Sequence, residues 1–314
     1  MAEFDWYLQV NLKARHLRLL AAIDTYRNLT QVAEVTHVTV PAISKSLAEL
    51  ERGLGLSLFS RTAQGLVPTP YGECLIKHAR SMLTILQQAR DELKSLSSGA
   101  AGKVHIGMLP ASASALLPKA LSILKLHSPS TNVTVIEGTT ETLLPELWQG
   151  RLDLVVGRLP APDSLGSFVE QELLEEPVRL MTGRHHPLAR KDNLQWSDLC
   201  AYPWVLPPPG SILRDPLERA LEAHEVPLTN NYIETLSIHV VRAHLQVSDC
   251  IAVMAGSIAD DFAQPLHILP LSLPRLVRPA GVLWNRNRGL TASAELMRGC
   301  LEEAAGQLQA AASS

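Results

Sequence analysis

Residues 28–72 read NLTQVAEVTHVTVPAISKSLAELERGLGLSLFSRTAQGLVPTPYG, and this stretch decides the fold of the N-terminal part of the chain. Asn28 is a suitable N-cap for a short helix over residues 29–35. After a brief turn, Thr39 caps a longer helix whose first turn accommodates Pro41. Apolar side chains recur there at helical spacing and predict a buried stripe of Val40, Ile43, Leu47 and Leu50. Together with an amphipathic helix upstream, the pattern predicts closely spaced helices.

Another face of the longer helix is small and polar near its N-terminus, and carries Pro41, Ser44, Lys45 and Ala48. Such a face suits a helix that enters the major groove of DNA, where hydroxyls and a lysine reach phosphates and base edges. A small helical bundle without a nucleic-acid role would show the same pattern. Residues 59–70 favour DNA, because they predict a hairpin-like wing with Arg61 placed to meet a backbone phosphate.

The charge distribution fits this interpretation. Of the 314 residues, those up to 97 hold 11 Lys/Arg against 9 Asp/Glu, and the rest hold 17 against 22. A slightly basic head on an acidic body fits nucleic-acid binding at one end. The four cysteines are widely spaced, and we find neither a signal peptide nor an apolar run of membrane-spanning length, ~18 residues. These features predict a cytoplasmic protein with reduced thiols.

The run from Leu17 to Gly72 resembles the DNA-binding domain of the LysR-type transcriptional regulators. The matching segments are Ala33-Glu34, Pro41-Ala42-Ile43-Ser44-Lys45, Leu50-Glu51, Leu54-Gly55, Leu58-Phe59-Ser60-Arg61-Thr62 and Pro68-Thr69-Pro70-Tyr71-Gly72. The resemblance implies DNA contacts from Thr30, Thr39, Val40, Pro41, Ser44, Lys45, Arg61 and Thr69. Val40 stands where relatives often have a base-contacting glutamine. A valine can contact a thymine methyl group but cannot make the bidentate bond to adenine.

Residues 71–97 predict one long helix with a heptad pattern. Its apolar positions alternate at spacings of four and three residues, and are Leu75, Ala79, Met82, Leu86, Ala89, Leu93 and Leu96. So narrow a stripe is typical of a coiled coil, whereas a helix packed on its own domain, the alternative, usually shows a wider one. The resemblance implies dimerisation through this linker helix, often with pairing of dimers into tetramers. A two-fold dimer would bind an interrupted palindromic operator on double-stranded DNA.

Residues 98–102 are small and predict a hinge, and beyond them strand-like runs alternate with helices. The runs are residues 104–108, 133–136, 154–156, 204–206, 251–254 and 282–284. They predict a largely parallel sheet in a two-lobed domain. Residues 103–305 resemble the effector-binding domain of the same family, which has a periplasmic-binding-protein-like fold. We expect one lobe at about 103–162 and 270–305 and the other at 163–269, with chain crossings near 161–164 and 266–271.

The predicted fold class is therefore α/β overall. An all-α winged helix-turn-helix domain over residues 12–70 precedes the linker helix, the hinge and the two-lobed domain.

Polar residues follow several predicted strands, at the carboxyl ends where open α/β sheets bind ligands. Arg158 ends one of them, and its guanidinium suits a carboxylate ligand, although a structural ion pair explains it equally well. The resemblance implies a small-molecule effector in contact with Pro110, Ala111, Ser112, Thr139, Thr140, Gly157, Arg158, Pro208, Pro209 and Ser211. Residues 156–160 and 203–210 resemble the branch of galactose-binding-protein regulators and the protocatechuate-pathway regulator. The effector is therefore expected to be a sugar or an aromatic or other organic acid.

Two other protein classes share a bilobal fold. A solute-binding protein would need a signal peptide and no DNA-binding module. An enzyme would need paired acid/base groups or an activated nucleophile, whereas the strand ends hold hydroxyls and one arginine. We predict no catalytic residue, cofactor or metal site, since His185-His186 has no acidic or cysteine partner at ligand spacing. The expected partners are DNA, the effector, further copies of the chain and RNA polymerase, without a membrane.

Overall fold

The computed structural model describes residues 4, 6–62, 65–98, 102–109, 115–228, 230–258, 266–273 and 278–312. They belong to two compact units, Met1–Lys94 and Ser95–Ser314, each with its own hydrophobic core. Within these described ranges, no helix combines the length and the apolar character that spanning a bilayer requires.

Helices and one hairpin build the N-terminal unit. Its elements are α1 Ala14–Tyr26, α2 Leu29–Thr36, α3 Val40–Leu54, β1 Phe59–Thr62, β2 Gly65–Pro68 and α4 Pro70–Ser98. Leu20 and Ile23 of α1 meet Leu50 of α3 at the centre of the core, where all three are fully buried. The predicted stripe on α3 is buried except for Val40, which is half-buried because it lies in the first, open turn of the helix.

The wing is an antiparallel hairpin, in which β1 pairs with β2 along its full length. The unit is therefore helical apart from this wing, which is the predicted winged helix-turn-helix. The carboxylate of Glu51 fixes the start of the wing by accepting the N–H groups of Leu58 (2.7 Å) and Phe59 (3.2 Å). The N–H of Leu66 donates to the carbonyl of Arg27 at 2.9 Å and ties the return strand to the turn between α1 and α2.

The predicted linker helix forms as α4, and its first turns belong to the core of the N-terminal unit. Ala79 and Ile76 are buried there, and Leu75 packs against the same cluster. An ion pair of 2.7 Å between Arg80 and Asp24 fastens α4 to α1 as well. The first two positions of the predicted coiled-coil stripe, Leu75 and Ala79, therefore pack within their own unit.

The second unit contains two lobes. Its elements are β3 Lys103–Met108, α5 Leu116–His127, β4 Asn132–Glu137, α6 Thr140–Gln149, β5 Leu154–Arg158, β6 Phe168–Leu174, β7 Val178–Thr182, β8 Trp204–Leu206, α7 Arg214–Ala223, β9 Tyr232–Glu234, α8 Ile238–Leu245, β10 Ile251–Ala255, β11 His267–Ile268, β12 Ala280–Asn285 and α9 Ala292–Ala312. Short 3-10 segments join some of them, at Pro162–Ser164, Pro187–Arg190, Trp196–Ala201 and Gly256–Ile258.

Each lobe is a sheet covered by helices on its faces. In the first lobe the described strands lie in the order β4-β3-β5-β12-β6, and α5 and α9 pack on one face while α6 packs on the other. In the second lobe the order is β11-β7-β10-β8-β9, with α7 and α8 on opposite faces. The parallel core strands end at the edge where the lobes meet, which positions a site between them.

In each sheet four of the five described strands run in one direction, as the predicted largely parallel sheet requires, and one strand runs against them. The β4-β3-β5 and β10-β8-β9 parts are parallel, but β12 runs antiparallel to β5 and β6, and β7 runs antiparallel to β10 and β11. The reason is the crossing of the chain between lobes. Strands β7 and β12 are the first strands after the two crossings. Each starts at the edge of the sheet where the lobes meet, so it runs antiparallel to the strands that end there.

The first crossing lies later than residues 161–164, where we expected it. Strand β6 still pairs with β12 in the first lobe, so the chain crosses at residues 175–177. The first lobe therefore extends through Leu174, beyond the predicted limit of 162. The second crossing falls between β11, which belongs to the second lobe, and β12, which belongs to the first.

Strand β6 was not predicted, because its sequence, FVEQELL, is rich in charged and polar residues. It lies at an edge of the sheet, where such residues remain hydrated or paired. Glu170 and Glu172 both pair with Arg278, at 2.6 Å and 3.0 Å. Arg278, which lies near the second crossing, thus neutralises the carboxylates of the strand. The two ion pairs form between residues distant in sequence, so the sequence pattern did not predict them.

Candidate functional site

Helix α3 presents its predicted DNA-reading residues on an accessible surface. Thr39, Pro41 and Lys45 are exposed, and Ser44 is half-buried. The side chain of Lys45 is 79% exposed and lies 4.0 Å from Glu49, a weak surface pair that leaves the ammonium able to reach DNA. Thr39 holds the N-cap position, but its hydroxyl makes no capping bond within the described residues. Hydroxyls and an ammonium are therefore available at the leading end of this helix.

Thr30 and Arg61 are distant in sequence but line one groove between the start of α2 and the wing. Asn28 caps α2 as predicted, by accepting the N–H of Thr30 at 2.9 Å. Sequence reasoning missed Arg27, which lines the same groove from the turn before the N-cap. Two guanidinium groups beside a helix N-terminus suit a backbone phosphate. Its position directly before the N-cap residue Asn28 was the sequence signal that could have identified Arg27 as a phosphate contact.

Thr69, which we predicted to contact DNA, uses its hydroxyl within the N-terminal unit. The hydroxyl donates to the carbonyl of Ser57 at 2.7 Å and accepts the N–H of Gly72 at 3.2 Å. It therefore joins the end of the wing to the first turn of α4. The hydroxyl therefore has a structural role, and its contact with DNA stays a prediction.

The second half of α4 carries an apolar stripe that its own chain leaves open. The exposed positions of the predicted heptad are Met82 (39%), Leu86 (51%), Ala89 and Leu93 (67%). Ile85, which lies outside the heptad positions, adds a further side chain that is 49% exposed. The side chain of Leu96 lies outside the described residues. Adjacent exposed apolar side chains along one helix face are typical of a surface that a second helix covers.

A cavity of about 110 Å³ lies between the lobes of the second unit. Its walls come from the ends of β3 and β5 and the start of α6 in one lobe, and from β8, α8 and β10 in the other. Most of its lining is aliphatic and includes Leu206, Ile212, Ile238, Val241, Met254 and Ile258. A concave apolar space with a few polar groups is typical of a site for a small molecule.

Four of the predicted effector residues, Thr139, Thr140, Arg158 and Ser211, line this cavity. The hydroxyl oxygens of Thr140 in the first lobe and Ser211 in the second are buried, and neither has a hydrogen-bond partner among the described residues. A buried hydroxyl without a partner costs about 1–3 kcal/mol. Two such atoms in one cavity wall are available to hydrogen-bond a ligand.

Arg158 is 5% exposed and holds both chain crossings. Its guanidinium donates to the carbonyl of Glu176 at 2.5 Å, on the first crossing, and to the carbonyl of Arg278 at 3.3 Å, near the second. Burial lowers the pKa of Arg158, while the nearby carboxylates of Glu176 and Glu175 oppose that shift. The sequence left two roles open for Arg158, contact with a carboxylate ligand and a structural ion pair. Its hydrogen bonds are structural, and their acceptors are main-chain carbonyls rather than a carboxylate.

The remaining predicted effector residues do not line the described cavity. Pro110, Ala111 and Ser112 lie outside the described residues. Pro207 lines the cavity, whereas Pro208 and Pro209 do not appear in its wall. Gly157 has a φ of 146°, and a Cβ added to it would lie 2.4 Å from the Cβ of Leu109. Glycine is therefore needed there for the close approach of β5 to the end of β3.

Sequence reasoning missed the wall that follows β9. Thr235, Leu236, Ile238 and Val241 line the cavity from this side. Strand β9 is three residues long and fully exposed, so it gave no hydrophobic pattern. The available signal was Ser237, whose hydroxyl accepts the N–H of Val240 at 3.3 Å and caps α8.

His186 belongs to a turn rather than to a metal site. It is fully buried, its Nδ1 accepts the N–H of Leu188 at 3.0 Å, and its Nε2 lies 3.2 Å from the carbonyl oxygen of Asp249. These partners fit a neutral ring that carries its proton on Nε2. No group of three or more metal-ligating side chains is found in the part of the chain that the structure describes.

We expect unfolding of the second unit to become easier below about pH 6.5, the ordinary histidine pKa. Burial lowers the pKa of His186, and it lowers the pKa of His267 as well. The unfolded chain then binds protons more readily than the folded one, so stability is lost as the pH falls below 6.5. Urea unfolding at pH 7.5 and 5.5 measures the effect. His186→Asn, which keeps an acceptor for the N–H of Leu188, should show a smaller difference in unfolding free energy between the two pH values. A difference equal to that of the parent protein would show that His186 is not the titrating group.

Two family models match the chain. The model described as "LysR substrate binding domain" matches residues 97–306, and "Bacterial regulatory helix-turn-helix protein, lysR family" matches residues 14–73. The chain belongs to the LysR family of transcriptional regulators. The family predicted from the sequence is thereby confirmed, and with it a DNA-binding head joined to an effector-binding domain. LysR proteins are regulators rather than enzymes, in agreement with the prediction.

Similar proteins agree with this assignment. This LysR protein is 34% identical to the HTH-type transcriptional regulator GbpR of Azospirillum brasilense, over 96% of this chain and 89% of GbpR. It is 33% identical to the HTH-type transcriptional regulator PcaQ of Agrobacterium fabrum (strain C58), over 95% of this chain and 96% of PcaQ. The crystal structure of full-length CbnR complexed with its target DNA resembles it in fold, with 17% identity and a TM-score of 0.65, over 93% of this chain and 100% of that chain.

Proposed function

We propose that this LysR regulator binds an interrupted palindromic operator as a dimer or tetramer, and that a small metabolite held between its lobes modulates that binding. The proposal rests on the hydroxyls of Thr140 and Ser211, which have no hydrogen-bond partner in the described part of the chain, come from opposite lobes and line one cavity. A ligand that bonds to both joins the lobes. It then favours the closed arrangement in proportion to its affinity difference between the closed and open states.

The DNA contacts divide into two kinds. Arg61, Thr30 and Arg27 share a groove suited to phosphate, and such contacts fix position without reading sequence. Thr39, Pro41, Ser44 and Lys45 lie at the leading end of α3, where base edges are read. Val40 is half-buried, so only part of its side chain is available for a thymine methyl group.

Dimerisation through α4 and action in the cytoplasm complete the proposal. The exposed stripe on the second half of α4 supports the first, because a two-fold axis along it would bury the same side chains of both copies. The second follows from acting on bacterial promoters, where contact with RNA polymerase is also part of the proposal.

Footprinting of the regulator on its promoter tests the proposal. We expect the protected region to change when a ligand that raises the melting temperature of the protein is added, because the lobes then reposition the DNA-binding heads. Identical footprints with and without that ligand would contradict effector control while leaving DNA binding intact.

We expect Lys45→Ala to weaken specific operator binding by about 1–3 kcal/mol, the range for loss of a good base contact. The side chain is largely exposed at the leading part of α3, so the folded domain should be unaffected. Gel shifts with operator and with scrambled DNA separate specific from general binding. Lys119→Ala, which removes a half-buried lysine from α5 in the second unit, is the control, and equal affinities for both variants would remove Lys45 from the contacts.

A further inference from the structure

On the basis of the proposed function, we infer that the effector is a compact, largely apolar organic compound with a hydrogen-bonding group at each of two ends, and not a sugar. Hydroxylated aromatic and alicyclic acids have this chemistry. The inference rests on the composition of the cavity, on its small volume and on two hydroxyls that have no partner among the described residues.

The described walls of the cavity hold few groups that can hydrogen-bond to a polar ligand. The described lining holds aliphatic side chains from both lobes, and it includes no carboxylate, carboxamide, phenol or indole group. A sugar carries hydroxyls around its whole ring, and each one buried without a partner costs affinity. An apolar body instead gains from contact with Ile238, Val241 and Ile258 on one side of the space.

The described wall carries four hydroxyls, and two of them have no partner. The hydroxyl of Thr235 accepts the N–H of Ser237 at 3.0 Å, the hydroxyl of Thr139 lies 3.4 Å from that of Thr142, and the guanidinium of Arg158 donates to two carbonyls. The hydroxyls of Thr140 and Ser211, one on each lobe, have no partner among the described residues. A hydroxyl both donates and accepts, so each can bind a carboxylate or a hydroxyl of the ligand.

The lobes touch beside these two hydroxyls. Glu141 follows Thr140, and Gly210 precedes Ser211; a Cβ added to Gly210 would lie 2.6 Å from the carboxyl carbon of Glu141. Gly210 also has a φ of 78°, which favours glycine. The cavity has a volume of about 110 Å³, so a ligand that reaches both hydroxyls must be compact.

Thermal-shift and calorimetric titration of the full-length protein with matched compounds tests the inference. The probes are 4-hydroxybenzoate and 4-hydroxycyclohexanecarboxylate against galactose and galacturonate. We expect one or both of the first pair to bind and raise the melting temperature, and neither sugar to do so. Binding of a sugar, or no binding of either ring acid at millimolar concentration, would overturn the inference.

Two variants test the placement of the ligand. Thr140→Val and Ser211→Ala each remove one hydroxyl at similar volume and should weaken binding of the ring acid about three- to tenfold. Ser122→Ala removes an exposed hydroxyl from α5, outside the cavity, and is the control. Unchanged affinity in both cavity variants would overturn the placement.

The proposed function fails separately from this inference. Gel shifts of the same protein on its promoter, with and without each probe, report DNA binding and its control directly. A regulator that binds DNA and responds to a sugar keeps the proposed function and loses the inference. A protein that binds no promoter fragment loses the proposed function itself.

Discussion

Replacing Leu86 with glutamate is expected to convert the regulator to a monomer and to lower its operator affinity about 100- to 10,000-fold, the loss that follows when two linked contacts become independent. Leu86 is 51% exposed in the middle of the open stripe on α4. In a two-fold interface the substitution occurs in both copies, so each dimer would bury two carboxylates in an apolar surface. The N-terminal core does not include Leu86, so the monomer should stay folded.

Sedimentation velocity and operator titration measure this effect together. Gln87→Glu introduces the same charge one position away, outside the predicted heptad stripe, and should leave both the oligomeric state and the affinity near those of the parent protein. A Leu86→Glu protein that remains dimeric at micromolar concentration would show that α4 is not the dimer interface. The helix would then need another partner for its exposed leucines.

Replacing Arg158 with methionine is expected to destabilise the second unit by about 2–6 kcal/mol, at about 1–3 kcal/mol for each carbonyl left without its donor. The change takes the donors from the carbonyls of Glu176 and Arg278, on the two crossings. It also removes a favourable charge interaction with the buried carboxylate of Glu176, which accepts the N–H of Ser257 at 3.0 Å. The response to effector should be lost as a consequence, because the lobes lose their shared anchor.

Urea unfolding followed by tryptophan fluorescence measures this loss, since four of the five tryptophans lie in the second unit. Arg219→Met, which removes an exposed arginine from α7, is the matched control. Arg158→Lys should fall between the two, because a single ammonium does not reproduce the forked geometry of a guanidinium. Operator binding by the N-terminal unit should persist in all three variants. An Arg158→Met protein of parental stability would contradict the anchoring role.

Local signals in the sequence were enough to predict the helices and the wing of the N-terminal unit. The cap at Asn28, the proline in the first turn of α3 and the apolar spacing through Leu50 each depend on residues within one helical turn of one another. The wing was predicted from its glycine and prolines, and its anchor was not. The bond from Glu51 to the N–H groups of Leu58 and Phe59 spans seven to eight residues and has no periodic signature.

Periodicity, capping and turn chemistry act over short distances, so the order of elements, the helix-turn-helix and the polar residues at strand ends could be predicted from sequence alone. The role of each of those residues depends on tertiary contacts. Arg158 bonds to carbonyls 18 and 120 residues away, and the hydroxyls of Thr140 and Ser211 share a cavity although they belong to different lobes. Such contacts depend on the path of the chain between lobes, and no local pattern records that path.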